Sequence, residues 1–181
     1  MSDKVKCLVL LFALINNGRT TNILQFGYIC IMKKQKIELS YEIYRIDELP
    51  TEDRLLAMAA KEATRRSYAP YSRFHVGAAV LLDNGVTVTG TNQENVAYPS
   101  GLCAERTALY SANSQYPDAA VKAMAIATAD AETVISPCGA CRQVMIETEK
   151  RYGKPMRILL CGDEEVYVLE SAVSLLPLAF I

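Results

Sequence analysis

Pro137-Cys138-Gly139-Ala140-Cys141, read together with Cys103-Ala104-Glu105, is the pattern on which the architecture turns. Two cysteines three apart at the start of a helix direct their sulfurs to one point in space. A third sulfur from the start of another helix completes a set of three. A catalytic zinc site takes three protein ligands and keeps the fourth position for water. Both helix N-termini carry partial positive charge, which favours thiolate over thiol. Arg106 and Arg142 adjoin the ligands and are expected to offset the negative charge of three thiolates around Zn2+. Glu105 is placed to take a proton from the zinc-bound water rather than to fill the open position, and zinc lowers the pKa of that water toward ~7.

Other readings of the same residues stand beside this one. Cys138 and Cys141 alone fit a thioredoxin-like redox pair. A closed structural zinc site would need a fourth cysteine or histidine. Cys161 reads instead as a buried strand residue. His75, the single histidine, lies beside Phe74 on a strand, should point away from the face that Phe74 lines, and is assigned no role. The Cys-Ala-Glu half is what favours the catalytic reading.

Outward from the two motifs, the pattern is helical from Cys103 to about Ser114 and again from Cys138 to about Tyr152. Between them Val121 to Thr128 reads as a buried strand. Upstream, Thr51 is a candidate N-cap for a helix running to about Arg66, with Leu55, Leu56, Met58, Ala59 and Ala63 apolar. Phe74 to Leu82 and Val86 to Gly90 are strands joined by Asp83-Asn84-Gly85, a hairpin signature. Met156 to Cys161 and Val166 to Leu169 flank a tight Gly162-Asp163-Glu164 turn, so the last two strands should run antiparallel. A short helix near 171–175 ends at Pro177. Residues 37–48 alternate weakly, with Ile37, Leu39, Tyr41 and Ile43 suited to one side of a short strand or arm. This order implies a three-layer α/β/α domain with a five-stranded mixed sheet.

The chain has 181 residues, room for one domain with an ordinary core. Hydrophobic residues make up 51% of it, enough to fold by burial. The formal net charge is -1 with both signs interspersed, which argues against a polynucleotide partner and for a free small molecule. Lys4 and Lys6 precede an apolar run from Cys7 to Ile15 that resembles the start of a signal peptide. It is too short to span a bilayer and leads into Asn16-Asn17-Gly18 with no small-residue cleavage site. Residues 1–31 are therefore expected to be a disordered tail, or to precede a translation start at Met32. No membrane association is expected, and the location is expected to be cytoplasmic.

The chain resembles the small, zinc-dependent cytidine deaminases that assemble as homotetramers. The resemblance rests on Tyr68-Ala69-Pro70-Tyr71-Ser72-Arg73-Phe74-His75-Val76-Gly77-Ala78-Ala79, on Gly90-Thr91-Asn92-Gln93-Glu94-Asn95, and on the two cysteine motifs with the residues that follow them. It covers roughly residues 50–181, the expected deaminase domain, and leaves 1–49 as an N-terminal extension. It implies Cys103, Cys138 and Cys141 as zinc ligands and Glu105 as proton shuttle. It implies Asn92 and Glu94 as partners of the ribose 3′-hydroxyl, Phe74 as the aromatic packed on the pyrimidine, and Ala104 as a further substrate contact. Arg106 matches the arginine bonded to ligand thiolates. Tyr98 matches a residue reaching a neighbouring subunit's active site, and Phe180 a C-terminal aromatic near the subunit junction. Gln93 and Val96 depart from the usual residues, and neither side chain carries chemistry.

The expected reaction is hydrolytic deamination of cytidine and 2′-deoxycytidine to uridine and 2′-deoxyuridine with release of ammonia, by zinc-activated hydroxide, in pyrimidine salvage. Two alternatives are deamination of another free aminated nucleoside or base, and a non-catalytic zinc-binding or redox module.

Overall fold

The computed structural model describes residues 34–181 together with the backbone of 8–10 and 27–29. The reading of the remaining residues up to 33, including the possible start at Met32, lies outside the described residues. Contacts divide the chain into two units, Met1–Ile37 and Glu38–Ile181. In the first, strand β1 (Leu8–Leu10) pairs antiparallel with β2 (Gly27–Ile29). Among the described residues, no helix is long and apolar enough to cross a membrane.

The second unit is built on one mixed sheet and three helices. Its strands are β3 (Glu42–Arg45), β4 (Val76–Leu82), β5 (Thr87–Thr91), β6 (Val121–Thr128), β7 (Arg157–Cys161) and β8 (Glu165–Leu169). The sheet order is β3-β8-β7-β6-β4-β5. Six strands stand where five are expected. The extra one is β3, an edge strand paired antiparallel with β8 from Glu42 opposite Val168 to Arg45 opposite Glu165. Three of its four residues are exposed, so burial printed only a weak alternation on it. As expected, β7 and β8 are antiparallel.

Among the described strands of this sheet, β6 and β7 are the pair that runs parallel. A parallel pair needs a long crossover, here the connection after Thr128 followed by α3 (Gly139–Tyr152). Helix α2 (Ala104–Gln115) links β5 to β6, and α1 (Thr51–Ala63) precedes β4. Pro50, rather than Thr51, occupies the N-cap of α1, and Glu52 and Asp53 in its first turn favour the positive end of the helix. Pro suits a helix start, where its missing N–H would have no partner.

The period of two along the strands divides the core. Val76, Ala78, Val80 and Leu82 of β4 join Ala108 and Leu109 of α2 and Met145 and Ile146 of α3 in one cluster. Ala79 and Leu81 join Leu56, Ala57 and Ala60 of α1, with Ala123, Ala125 and Ala127 of β6, in a second. Small residues let the helices lie close. A Cβ on Gly77 would stand 2.1 Å from the Ala60 carbonyl oxygen, and one on Gly90 would stand 2.3 Å from the Ala108 nitrogen. Gly90 therefore sets how closely the first turn of α2 can lie on β5.

Candidate active site

Cys103 and Cys138 occupy the N-cap positions of α2 and α3, each in an extended backbone conformation. An N-cap residue has a non-helical backbone, and here neither sulfur is used to cap. Cys141 lies one turn into α3 and is fully buried. The three sulfurs all lie within 4.8 Å of one another. Cys103 Sγ is 3.9 Å from Cys138 Sγ, which is 3.5 Å from Cys141 Sγ. Sulfurs bound tetrahedrally at ~2.3 Å from one zinc lie about 3.8 Å apart, so the observed spacing fits that ion. All three are free thiols.

The electrostatics favour a thiolate at this point. Interaction with the Cys141 thiol, then with Arg106 and Cys138, holds the Cys103 thiol down to about 5. Arg106 donates from Nη2 to Cys103 Sγ at 3.6 Å. Arg142 does not reach a sulfur. Its guanidinium donates to the Pro137 carbonyl (2.7 Å), the Leu175 carbonyl (2.7 Å) and Ser136 Oγ (2.9 Å), which ties the loop before Cys138 to the C-terminal segment. The expectation that it offsets thiolate charge directly is replaced by this structural role. Its length and fork of donors let it span carbonyls that a sequence does not display.

Glu105 is 4% exposed and sits in the first turn of α2. Burial pushes its carboxyl above the usual carboxylate range, and the negative charge of Cys103 adds to the effect. It lines a cavity of about 610 Å³ with Cys103, Ala104, Phe74, Asn92, Glu94 and Tyr98. That volume suits a small organic ligand. Val76 also lines it and His75 does not, consistent with alternation along the chain. Among the described residues, the cavity wall carries two carboxylates and no lysine, arginine or histidine.

Asn92 and Glu94 are already engaged with the chain. Asn92 Oδ1 accepts from Ser67 Oγ (2.5 Å) and the Val76 N–H (2.8 Å), while its Nδ2 donates to the Phe74 carbonyl (2.8 Å). Its second amide hydrogen remains available to a ligand. Glu94 Oε2 accepts from the N–H groups of Tyr71 (2.8 Å) and Ser72 (3.2 Å), and Oε1 accepts from Ser72 Oγ. The Ser72 hydroxyl is the main cause that keeps the Glu94 carboxyl below its usual range. Tyr98 projects from a short 3-10 turn, Tyr98–Ser100, and is 83% exposed. Phe180 is also exposed, and its carbonyl accepts from Gln143 Nε2 at 2.6 Å.

The structure thus brings Phe74, Asn92, Glu94, Tyr98, Cys103, Ala104 and Glu105 around one cavity, while Cys138 and Cys141 join it through their cluster with Cys103, and Arg106 and Phe180 do not line it. Ser72, Ile135 and Ser136 join the lining without having been singled out. Ser72 lay inside a quoted motif, yet a serine beside an aromatic has no signature until its partner is placed in space.

Comparison with known proteins agrees with this geometry. Residues 50–152 match the model of a family described as the cytidine and deoxycytidylate deaminase zinc-binding region. A cytidine deaminase of Halalkalibacterium halodurans is 44% identical over 128 residues, spanning 70% of this chain and 92% of that protein. One of Mycobacterium tuberculosis is 42% identical over 108 residues, spanning 58% and 79%. The crystal structure of a Burkholderia pseudomallei cytidine deaminase superposes with a TM-score of 0.64 at 40% identity, covering 73% of this chain and all of that one. The fold and the three-sulfur cluster match a class of deaminases whose shared region is described as zinc-binding. The chain belongs to the cytidine and deoxycytidylate deaminase family, and it is an enzyme of that class.

Proposed function

We propose that this enzyme hydrolyses cytidine and 2′-deoxycytidine to uridine and 2′-deoxyuridine with release of ammonia, as a step of pyrimidine salvage in the cytoplasm. The observation that carries the proposal is a cluster of three sulfurs whose member Cys103, with the buried Glu105, lines a cavity otherwise walled by Phe74, Asn92 and Glu94. The named activity of the relatives supports it.

Cys103, Cys138 and Cys141 would hold Zn2+, and bound zinc supplies a Lewis acid that makes water acidic enough to act as a nucleophile near neutral pH. Glu105 takes one proton from the attacking water and passes it to N3 of the base, where it stays, and then carries the second proton, from the hydroxyl added at C4, to the departing amine. One water is consumed, and one ammonia leaves from C4. Arg106 holds Cys103 and lessens the charge of the thiolate set. Phe74 packs on the pyrimidine, and Ala104, fully buried, closes the cavity beside it. Asn92 and Glu94 address the sugar 3′-hydroxyl with the hydrogen-bonding capacity they keep after holding the chain. Tyr98, exposed at the cavity mouth, reaches toward a neighbouring subunit in a homotetramer. Residues 50–181 form the catalytic domain, with α1 on one sheet face and α2 and α3 on the other in a three-layer arrangement. Residues 1–49 form an extension to it, whose β3 supplies the edge strand of the sheet.

An absorbance assay of cytidine, 2′-deoxycytidine, cytosine and CMP side by side tests the substrate assignment. Turnover of the two nucleosides is expected. Activity confined to cytosine or CMP would overturn it.

A further inference from the structure

Beyond the turn bond from the Arg73 N–H to the Ala69 carbonyl (3.0 Å), the segment that carries Phe74 is held by side chains. Arg73, the residue before it, has φ of 57° in the left-handed region, which is unfavourable for a non-glycine residue. The turn therefore depends on its surroundings. The Phe74 N–H donates to Ser72 Oγ at 3.0 Å, and Ser72 is in turn fixed to Glu94. The peptide unit joining Phe74 to His75 is gripped at both poles. Its carbonyl accepts from Asn92 Nδ2 at 2.8 Å, and its N–H donates to Asp130 Oδ2 at 2.5 Å. The same Asp130 oxygen lies 2.9 Å from His75 Nδ1.

Asp130 is itself oriented. Its N–H donates to Thr128 Oγ1 at 3.2 Å, and that hydroxyl donates to the His75 carbonyl at 2.9 Å. It stands at the start of the connection from β6 to α3, the connection that lines the cavity at Ile135 and Ser136 and ends at Cys138. The bond from Asp130 thus joins the segment bearing Phe74 to the connection that lines the cavity at Ile135 and Ser136. Asp130 belongs to neither core cluster, and its side chain is 34% exposed. Truncating it opens no core cavity.

We propose that Asp130 is a positioning residue for the deamination. By holding the Phe74–His75 peptide from the side opposite Asn92, it fixes the direction in which the Phe74 ring meets the substrate base. This rests on the reading that Phe74 packs against the pyrimidine.

Steady-state kinetics with cytidine on zinc-loaded Asp130→Ala, Asp130→Asn and Phe74→Ala test it, with zinc content and melting temperature measured on each. Asp130→Ala is expected to raise KM about fivefold while changing kcat less than twofold, with zinc content unchanged. Asp130→Asn keeps an acceptor oxygen for the His75 N–H and is expected to restore most of the KM. Phe74→Ala is expected to raise KM at least as much as Asp130→Ala. An unchanged KM in Asp130→Ala, alongside a raised one in Phe74→Ala, overturns the role of Asp130 alone. An Asp130→Ala protein that fails to fold, or that loses kcat and stability together without rescue by asparagine, assigns Asp130 a structural role and overturns the proposal. An unchanged KM in Phe74→Ala overturns the reading of Phe74 and the proposal with it.

Discussion

Gly90→Ala is expected to damage the metal site without touching any residue in it. The added Cβ would lie 2.3 Å from the Ala108 nitrogen, 2.6 Å from the Ala104 oxygen and 2.8 Å from the Ala108 Cα. These are helix backbone atoms and cannot rotate aside. Ordinary contact begins near 3.4 Å, so the first turn of α2 must retreat by about 1 Å. Forcing extra volume into a packed site costs about 1–3 kcal/mol. For a chain of this size, about 2 kcal/mol corresponds to a fall in Tm of roughly 4–8 °C. Cys103 immediately precedes Ala104, and metal–ligand distances tolerate only ~0.2 Å. Zinc affinity should therefore fall together with stability. Calorimetry with and without a chelator, and zinc per chain by atomic absorption, read both effects. Gly139→Ala is the control, because a Cβ there meets nothing within 4 Å. An unchanged Tm and zinc content in Gly90→Ala would show that α2 does not bear on Gly90 as described.

Asn92→Ala strips partners from the Val76 N–H, the Phe74 carbonyl and Ser67 Oγ. Each such group costs about 1–3 kcal/mol where it is shielded from water, so a fall in Tm of several degrees and a raised KM for cytidine are expected together. A raised KM with no loss of stability would assign Asn92 to the substrate alone. A hydrogen bond from Lys154 holds the Asp83 carboxyl below its usual range. A depressed carboxylate stabilises the fold above its unfolded pKa and loses that contribution as pH falls through its folded value. Wild type should melt above Asp83→Asn at pH 6, and the gap should close as the pH falls below about 4. A gap that widens on acidification would contradict the sign.

The three helices, five of the strands and the sulfur site were legible because each rests on a pattern within a few residues. Cysteines at helix starts, an adjacent glutamate and an Asn-Gly turn need no tertiary knowledge. Strand β3 was not legible as part of the sheet, because an exposed edge strand buries too little to write a clear period into its sequence. Arg142 looked like a neighbour of the ligands in sequence, yet its side chain runs the other way, to carbonyls at Pro137 and Leu175. Asp130 sits among small and acidic residues that carry no periodic pattern. The antiparallel pairing of Val76 with Thr128 is what carries it to His75, and that pairing is a property of the sheet. Asn92 and Glu94 were legible as polar, but their grip on residues 71–76 was not, since main-chain partners leave no mark on composition.

The central claim is that three cysteines hold zinc while Glu105 moves the protons. Cytidine turnover by Glu105→Gln, with zinc measured in the same preparation, tests it most directly. About one zinc per chain and turnover reduced by at least ~10²-fold are expected. Turnover at the wild-type level with zinc bound would remove Glu105 from its role, and a wild-type protein that turns over cytidine without zinc would remove the metal site from the reaction.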